Sequence, residues 1–469
     1  MKQALASLLI LFVIVGGCQS KAVTAAKTDA EVWLTDPGAS VLFKKQASTT
    51  EFTGGKDDSA NTITVDASQS FQIIDGFGYC LTGGSAMLLS QMNSSNRATL
   101  LKELFDTTGN SIGISYLRVS IGASDLDDHV FSYNDLPPGQ TDINQDKFSI
   151  AEDKKFLIPI LKEIVAINPA IKIMGSPWSP PAWMKTNDST KGGSLKPEYY
   201  DSYVKYFVKY IQGMKAEGIA IDAITVQNEP LHPGNNPSLL MPAVEQAMFI
   251  KKSLGPAFKA ALIRTKIIIY DHNADRPDYP ISILSDADAA QYIDGSAFHL
   301  YGGTIDSLMK VHNAFPQKNL YFTEQWIGQP GNLPVDLVWN TKNIVIGAVR
   351  NWCKVSLQWN LAANSKWEPH TPGGCTECLG AITIDSNNVV RNPAYYVMAH
   401  PAKFVRPGSV RIASTEIDSL PNAAFKTPDG KKVLIVLNEG TGTKHFNIAE
   451  NDKIMSTTLN GGAVATYIW

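Results

Sequence analysis

PEYYDSYVKYFVKYIQGMKAEGIAIDAITVQNEP, residues 197–230, carries the pattern that decides the fold. Tyr199, Tyr203, Tyr206 and Tyr210 recur at helical spacing, so they read as one packing face rather than a row of exposed rings. The stretch then turns into IDAITVQNEP from Ile221, a short β-rich run. A helix leading into an apolar strand is one unit of a parallel α/β architecture. The same unit recurs on both sides. Seven further strand runs begin at Ile73, Ile114, Ile171, Thr265, Ile293, Lys318 and Val355. Amphipathic stretches lie between them, such as NRATLLKELFDT from Asn96 and EDKKFLIPILKEIV from Glu152. Eight strand–helix alternations over residues 75–398 predict a (β/α)8 TIM barrel. An open doubly wound sheet would carry a dinucleotide fingerprint after its first strand, and GFGYCLTGG (76–84) has the wrong glycine spacing.

Past about Ala399 the pattern changes. SVRIAST, AAFKTPDG, KKVLIVLNEG and ATYIW are short runs separated by turn residues, as in antiparallel β structure. NTITVDASQSFQIIDG, from Asn61, is also strand-like. The expected architecture is therefore a barrel with an attached antiparallel β-sandwich formed from the N- and C-terminal segments, residues 30–74 and 399–469.

Residues 1–17 read as a secretory signal, with Lys2, an apolar run from Leu5 to Val15, then Gly16 and Gly17. The run is too short to span a bilayer. Small residues directly before Cys18 form the pattern of a lipoprotein signal, so Cys18 is the expected lipidation site and residues 18–29 a polar tether. The chain is thus expected to be an exported bacterial lipoprotein of the cell envelope, periplasmic-facing or on the outer surface. Its membrane contact would come only through the lipid anchor.

Lys+Arg total 41 against Asp+Glu 44, a near-neutral balance without basic clusters that argues against nucleic acid as partner. Hydrophobic residues at 44% and charged residues at 18% are ordinary for a water-soluble protein with a large core. Cys375 and Cys378 form a lone C-x-x-C in TPGGCTECLG with only His370 nearby, too few ligands for zinc, and an exported chain favours a loop disulfide. Cys80 and Cys353 read as buried small hydrophobes. No metal and no cofactor is implied.

In a barrel of this kind the chemistry sits at the C-terminal strand ends. Asp125 follows the second strand and Trp178 the third; Asn228–Glu229–Pro230 closes the fourth and Asp271–His272–Asn273 the fifth. His299 and Tyr301 end the sixth, Glu324 and Trp326 the seventh, Trp359 and Asn360 the eighth. Aromatic walls stack on sugar faces, while carboxylates and amides bind hydroxyls. Glu229 and Glu324, across the barrel mouth from each other, suit the two carboxyl groups that glycosidic cleavage requires. Pro230 is expected to hold Glu229 extended, and the charge of Glu324 to raise the Glu229 pKa. His299 reads as a hydroxyl donor or a satisfied wall residue rather than a metal ligand, and no G-x-S-x-G elbow supports a serine triad.

The segments DGFGYCLTGGSA, YLRVSIGASDL, GSPWSPPAWMKTN, ITVQNEP, FHLYGG, YFTEQW and WNLAAN together resemble glycoside hydrolase family 30, from about Asp75 to the C-terminus. That is the family of lysosomal glucosylceramidase and of microbial β-1,6-glucanases and xylanases. The resemblance implies a retaining mechanism with Glu324 as nucleophile and Glu229 as acid/base. It implies that Asp125, Trp178, Asn228, His299, Tyr301 and Trp359 line the glucose subsite, with Trp326 beside them. Asp125 would grip distal hydroxyls and Tyr301 would orient the nucleophile. LHPGNNPSLL (231–240) and HTPGGCTECLGAITID (370–385) depart from the glucosylceramidase pattern, so ceramide specificity does not carry over. The expected substrate is a β-glucan or β-glucoside, and the expected activity is endo-β-1,6-glucanase. A glucosylceramidase-like exo-β-glucosidase is the alternative, and a non-catalytic carbohydrate-binding lipoprotein the remote one.

Overall fold

The computed structural model describes residues 29–47, 50–52 and 60–469. The expected signal peptide, Cys18 and the expected tether up to residue 28 lie outside them, and Asp29 opens the first strand of the sandwich.

Eight parallel strands close into a barrel in chain order. They are β1 (Gly76–Cys80), β2 (Tyr116–Ile121), β3 (Lys172–Pro177), β4 (Ala223–Thr225), β5 (Lys266–Asn273), β6 (Ile293–His299), β7 (Asn319–Glu324) and β8 (Cys353–Asn360). Each falls within or next to a run read from the sequence. Both faces of such strands are covered, one by the helices and one by the barrel interior, which is why they read as near-continuous apolar runs. Tyr116, Met174, Ala223, Ile268, Ala297, Tyr321, Val355 and Leu357 form one buried cluster inside the barrel. Seven strands contribute to it, large residues beside small ones, so the barrel is a packed core and not a pore.

The helices seal the outside. Ser94–Phe105 starts at Asn93, whose side chain accepts from the Asn96 N–H. Tyr200–Ala216 buries Tyr203, Tyr206 and Tyr210 completely, and Tyr133 stacks on Tyr210 at 5.7 Å. The tyrosine row is packing, as its period indicates.

Nine strands run along one ordered path to make the second layer: Val41–Lys45, Asp29–Asp36, Val464–Ile468, Lys432–Leu437, Asn422–Lys426, Val410–Ser414, Asn61–Ile73, Lys444–Glu450 and Lys453–Leu459. The first and last strands of the described residues thus enter one β unit. Its pairings along this path are antiparallel except for Asn61–Ile73 with Lys444–Glu450. The pattern change read at Ala399 falls inside a helix, Pro393–Phe404, and the strands resume only at Val410. Pro401 within that helix reads as a breaker in sequence, which hid its last turn. The helix also ties the layers together: its buried His400 bridges Thr35 Oγ1 at 2.9 Å and Thr466 Oγ1 at 2.8 Å. Burial pushes this imidazole down to about 3, so it is neutral, donating to one hydroxyl and accepting from the other. A small sheet of Ala362–Ala363, Ile382–Asp385 and Asn388–Arg391, not foreseen, follows β8.

Backbones in the barrel wall touch at glycines. A Cβ on Gly295 of β6 would sit 2.0 Å from the Asn319 carbonyl oxygen of β7, and neither backbone can yield without breaking the ladder. Gly295→Ala is expected to destabilise the protein by more than about 2 kcal/mol, read as a lowered midpoint of denaturation; an unchanged midpoint would refute this account of the wall.

Candidate active site

Residues two apart on a strand share a face, so the residue two places after each interior core residue also points inward. On β2 that is Arg118 after Tyr116, on β3 Ser176 after Met174, on β4 Thr225 after Ala223, on β6 His299 after Ala297 and on β7 Thr323 after Tyr321. Strand β5 breaks the alternation. Ala297 pairs with Tyr270 and Phe298 with His272, leaving Asp271 as the extra residue of a β-bulge. Tyr270 and Asp271 have φ of 71° and 64°, which turns Tyr270 outward against Tyr279 and Asp271 inward. Opposite β6, strand β7 skips Thr323 and brings Glu324 level with His299. Opposite β1, strand β8 skips Trp359.

The outcome is a polar layer on top of the apolar core. Arg118, fully buried, is its centre. Its Nη1 donates to Glu324 Oε2 at 2.6 Å, its Nη2 to Asn228 Oδ1 at 2.6 Å and Asp271 Oδ2 at 2.7 Å, and its Nε to Ser176 Oγ at 3.0 Å. The guanidinium also lies 4.8 Å from the Trp178 ring centre. Asp271 accepts further from Thr225 and Thr323 hydroxyls, each at 2.7 Å. Burial alone would raise its pKa, but Arg118 and His299 hold it far below the usual carboxylate range.

His299 is completely buried. Its Nδ1 lies 3.2 Å from Glu229 Oε1 and its Nε2 3.2 Å from Asp271 Oδ1, with Glu324 Oε1 at 3.8 Å. Burial opposes its charge, yet Glu324, Asp271 and Glu229 together raise it to about 9. It is therefore an imidazolium wedged among carboxylates, not the sugar-facing hydroxyl donor expected from sequence.

Glu229 departs from expectation twice. Its φ is 43°, in the left-handed region rather than extended. Local bonds hold it there: its N–H donates to the Asp271 carbonyl at 3.0 Å and its carbonyl accepts from the His232 N–H at 2.9 Å. Its carboxyl lies below, not above, its ordinary value, because the hydrogen bond and charge of His299 outweigh burial. The sequence reading had paired Glu229 only with Glu324 and overlooked the imidazole between them. Glu324 lies above its ordinary value through burial, opposed by His299 and Arg118. Tyr301 donates its hydroxyl to Glu324 Oε1 at 3.0 Å, the contact expected of it.

These groups floor a cavity of about 410 Å³ lined by Asp125, Trp178, Asn228, Glu229, Tyr301, Glu324, Trp326 and Trp359. Of the strand-end residues named from the sequence, all line it except Pro230, Asp271, His299 and Asn360. Trp178 and Trp359 are 5.5 Å apart and wall one side. Asp125, raised to about 7 by burial and by the two glutamates, receives the Cys375 N–H at 3.3 Å. Cys375 and Cys378 are disulfide-bonded, as expected, and both line the cavity. Cys80 and Cys353 are free and buried. His272 and Asn273, named from the sequence at the end of the fifth strand, complete the wall with His232 and Asn235, which were missed. Arg118 was missed too; its one signal is a lone cation in the apolar run YLRVSI.

Glu229, His299 and Glu324 each offer a donor atom within 4.8 Å of the others. A metal there would have to displace the His299 proton, and both Glu324 oxygens are already taken by Arg118 and Tyr301. The residues suit proton exchange better than coordination.

The raised His299 pKa has a consequence for stability. Its bound proton stabilises the fold fully below its ordinary 6.5, and that contribution is lost as pH rises through about 9. Unfolding free energy should therefore fall across this window. In His299→Gln, which keeps hydrogen-bonding capacity but cannot titrate, the fall should be shallower; equal slopes for both proteins would contradict a charged His299.

Comparison with known proteins agrees with this geometry. The chain matches the glycosyl hydrolase family 30 TIM-barrel domain over residues 74–405 and the family 30 beta sandwich domain over residues 408–467. It is 32% identical to an endo-1,6-beta-D-glucanase of Neurospora crassa, covering 87% of this chain and 88% of that one. It is 28% identical to the lysosomal acid glucosylceramidase of Mus musculus, covering 87% of this chain and 83% of the other. A solved endo-beta1,6-glucanase structure superposes with a TM-score of 0.87 at 36% identity, over 94% of this chain and 99% of that one. A barrel built from residues 76–360, a β-sandwich that takes in the first and last described strands and the two domain matches lead to one conclusion: this chain belongs to glycosyl hydrolase family 30.

Proposed function

We propose that the protein is a retaining endo-β-1,6-glucanase in which Glu324 is the nucleophile and Glu229 the acid/base. One observation carries the mechanism: a Glu229 oxygen and a Glu324 oxygen lie within 4.8 Å of each other at the floor of the cavity. Retaining glycosidases hold their carboxyl groups ~5–5.5 Å apart, whereas inverting ones leave ~6.5–9.5 Å for a water. The β-1,6 linkage rests on similarity to the endo-1,6-glucanases.

The geometry assigns the steps. Arg118 and Tyr301 each hold one oxygen of Glu324, which aims its carboxylate and keeps it from rotating away. Glu324 attacks the anomeric carbon of a glucosyl unit stacked against Trp178 and Trp359. Asn228 lines the cavity beside Glu229 while its Oδ1 is fixed by Arg118, leaving its amide N–H groups for a sugar hydroxyl. The proton for the leaving oxygen rests on His299 and passes to Glu229 across 3.2 Å when bound sugar excludes water from the carboxylate. Esterifying Glu324 removes its negative charge. Glu229, ionised again, then takes a proton from the water that hydrolyses the glycosyl-enzyme.

The test is a product time course on linear β-1,6-glucan beside β-1,3- and β-1,4-glucans. Early gentio-oligosaccharides from the β-1,6 polymer alone are expected. Glucose as the sole product, with hydrolysis of glucosylceramide, would favour the exo-glucosidase that the 28% identity to glucosylceramidase keeps in view. Glu324→Gln should lose turnover by at least about a thousandfold while still binding sugar. Glu229→Ala should spare substrates with good leaving groups and recover with azide; equal damage to all substrates would remove Glu229 from the acid role.

We further propose that the signal peptide and Cys18 export the enzyme as a lipoprotein. No helix among the described residues is long and apolar enough to cross a membrane. Detergent-phase partitioning of the full chain should be lost in Cys18→Ala; partitioning that survives the substitution would overturn the anchor.

A further inference from the structure

The segment 371–378 is a loop that supplies Gly373, Gly374, Cys375 and Cys378 to the cavity wall. Several bonds fasten its ends, that of the Asn236 side-chain amide to the Pro372 carbonyl at 3.1 Å among them. The Thr371 N–H donates to the Asp125 carbonyl at 2.9 Å, its hydroxyl to the Asn236 carbonyl at 2.5 Å, and Cys378 forms a β-bridge with Gly328 after β7. Between these anchors lie Gly373, with φ of 88°, and Gly374, whose missing Cβ would fall 2.2 Å from the Asp125 carbonyl oxygen. Two glycines allow this close approach, and they also leave the turn free to move. The covalent bond from Cys375 to Cys378 limits that freedom, beside the Gly374 N–H to Thr371 carbonyl bond and the Gln329 N–H to Glu377 carbonyl bond, each at 2.9 Å. Cys378 is buried against Cys80, Leu126, Trp178 and Trp359, so one sulfur is set in the aromatic wall and the other follows it.

Cys375 is the residue whose backbone N–H reaches the Asp125 carboxylate. We propose that the Cys375–Cys378 disulfide is a positioning element of the sugar site: it holds the Cys375 N–H on Asp125 and so sets the affinity of the cavity for a glucosyl unit. This rests on the glycosidase reading for the identity of the ligand, not for the effect. Opening the bond with a dithiol breaks S–S, forms two thiols and converts the reductant to its cyclic disulfide, so electrons and protons balance. The freed turn then withdraws the N–H. The carboxylate loses the hydrogen bond that opposes the two glutamates, and its pKa moves up from about 7. Hydroxyl binding by ionised Asp125 should accordingly begin at higher pH.

The experiment measures gentiobiose binding by calorimetry to Glu324→Gln protein, which does not turn over, in oxidised and dithiol-reduced forms, with thiols counted by mass spectrometry. Reduction is expected to weaken binding about tenfold, the loss of one hydrogen bond to a charged group. The acid limb of affinity against pH should shift upward, and reoxidation should restore both. The double variant Cys375→Ser/Cys378→Ser is expected to match the reduced form. Equal affinities with the thiols demonstrably free would overturn the proposal, as would a lowered melting temperature with unmoved affinity, the mark of a staple only. In the enzyme with Glu324 intact, KM should rise more than kcat falls. Tight binding by an oxidised enzyme that cleaves no glucoside would leave this positioning intact and sink the glycosidase reading instead.

Discussion

A single buried cation organises the mouth of this barrel. Arg118 has no exposed surface, yet donates to Glu324, Asn228, Asp271 and Ser176, residues supplied by four different strands or strand ends. A guanidinium out of water costs several kcal/mol unless its donors are met, and here they are met by the groups the site has to orient. Its planar fork is what makes the arrangement possible; a lysine ammonium carries three donors and would leave one of these four acceptors unmet. The charge count explains the rest. Arg118 and His299 bring two positive charges against Asp271, Glu229 and Glu324. The surplus is one negative charge in a buried site, and the next carboxyl, Asp125, lies near 7 through burial together with the charges of the two glutamates.

The layer could not form from ideal strands. Period-two alternation would have aimed Tyr270 inward and left Asp271 outside, and it would have offered Thr323 without Glu324. A bulge at each place adds the residue that changes the count. The strain is shared, because the positive-φ residues Asp271 and Glu229 are joined by the Glu229 N–H to Asp271 carbonyl bond at 3.0 Å. Neither conformation would persist alone. The proline after Glu229 restricts only the α-like alternatives of an unconstrained chain, and that bond overrules the preference.

This explains what was legible in the sequence. Barrel strands covered on both faces are written as apolar runs, so all eight could be counted, and acids and aromatics at their ends pointed to the cavity. Roles that depend on register were hidden. Nothing in TKIIIYDHN indicates that Asp271 rather than Tyr270 faces in, so the partner of Arg118 and His299 could not be named. Without that partner His299 looked like a wall residue, and the proton was placed on Glu229. The helix Pro393–Phe404 was lost for a different reason, since the proline inside it reads as a helix breaker.

The loops that depart from the glucosylceramidase pattern are far apart in sequence but physically one unit. Asn236 of the first donates its side-chain amide to the Pro372 carbonyl of the second at 3.1 Å, and accepts the Thr371 hydroxyl on its own carbonyl. Its side-chain oxygen takes the Thr190 hydroxyl at 2.8 Å, which fastens the pair to the segment after β3. The strands place the reacting carboxylates, and they are held by bonds that tolerate little change. The loops bound the space beyond Glu229 through His232, Asn235 and Gly373, where a leaving group has to lie. A family can therefore vary its substrates by rewriting these loops, but only together, because each carries the hydrogen-bond partners of the other. Transplanting one loop alone would leave Asn236 or Thr371 without its partner beside the sugar site, and the unit rather than the residue is the element on which specificity turns.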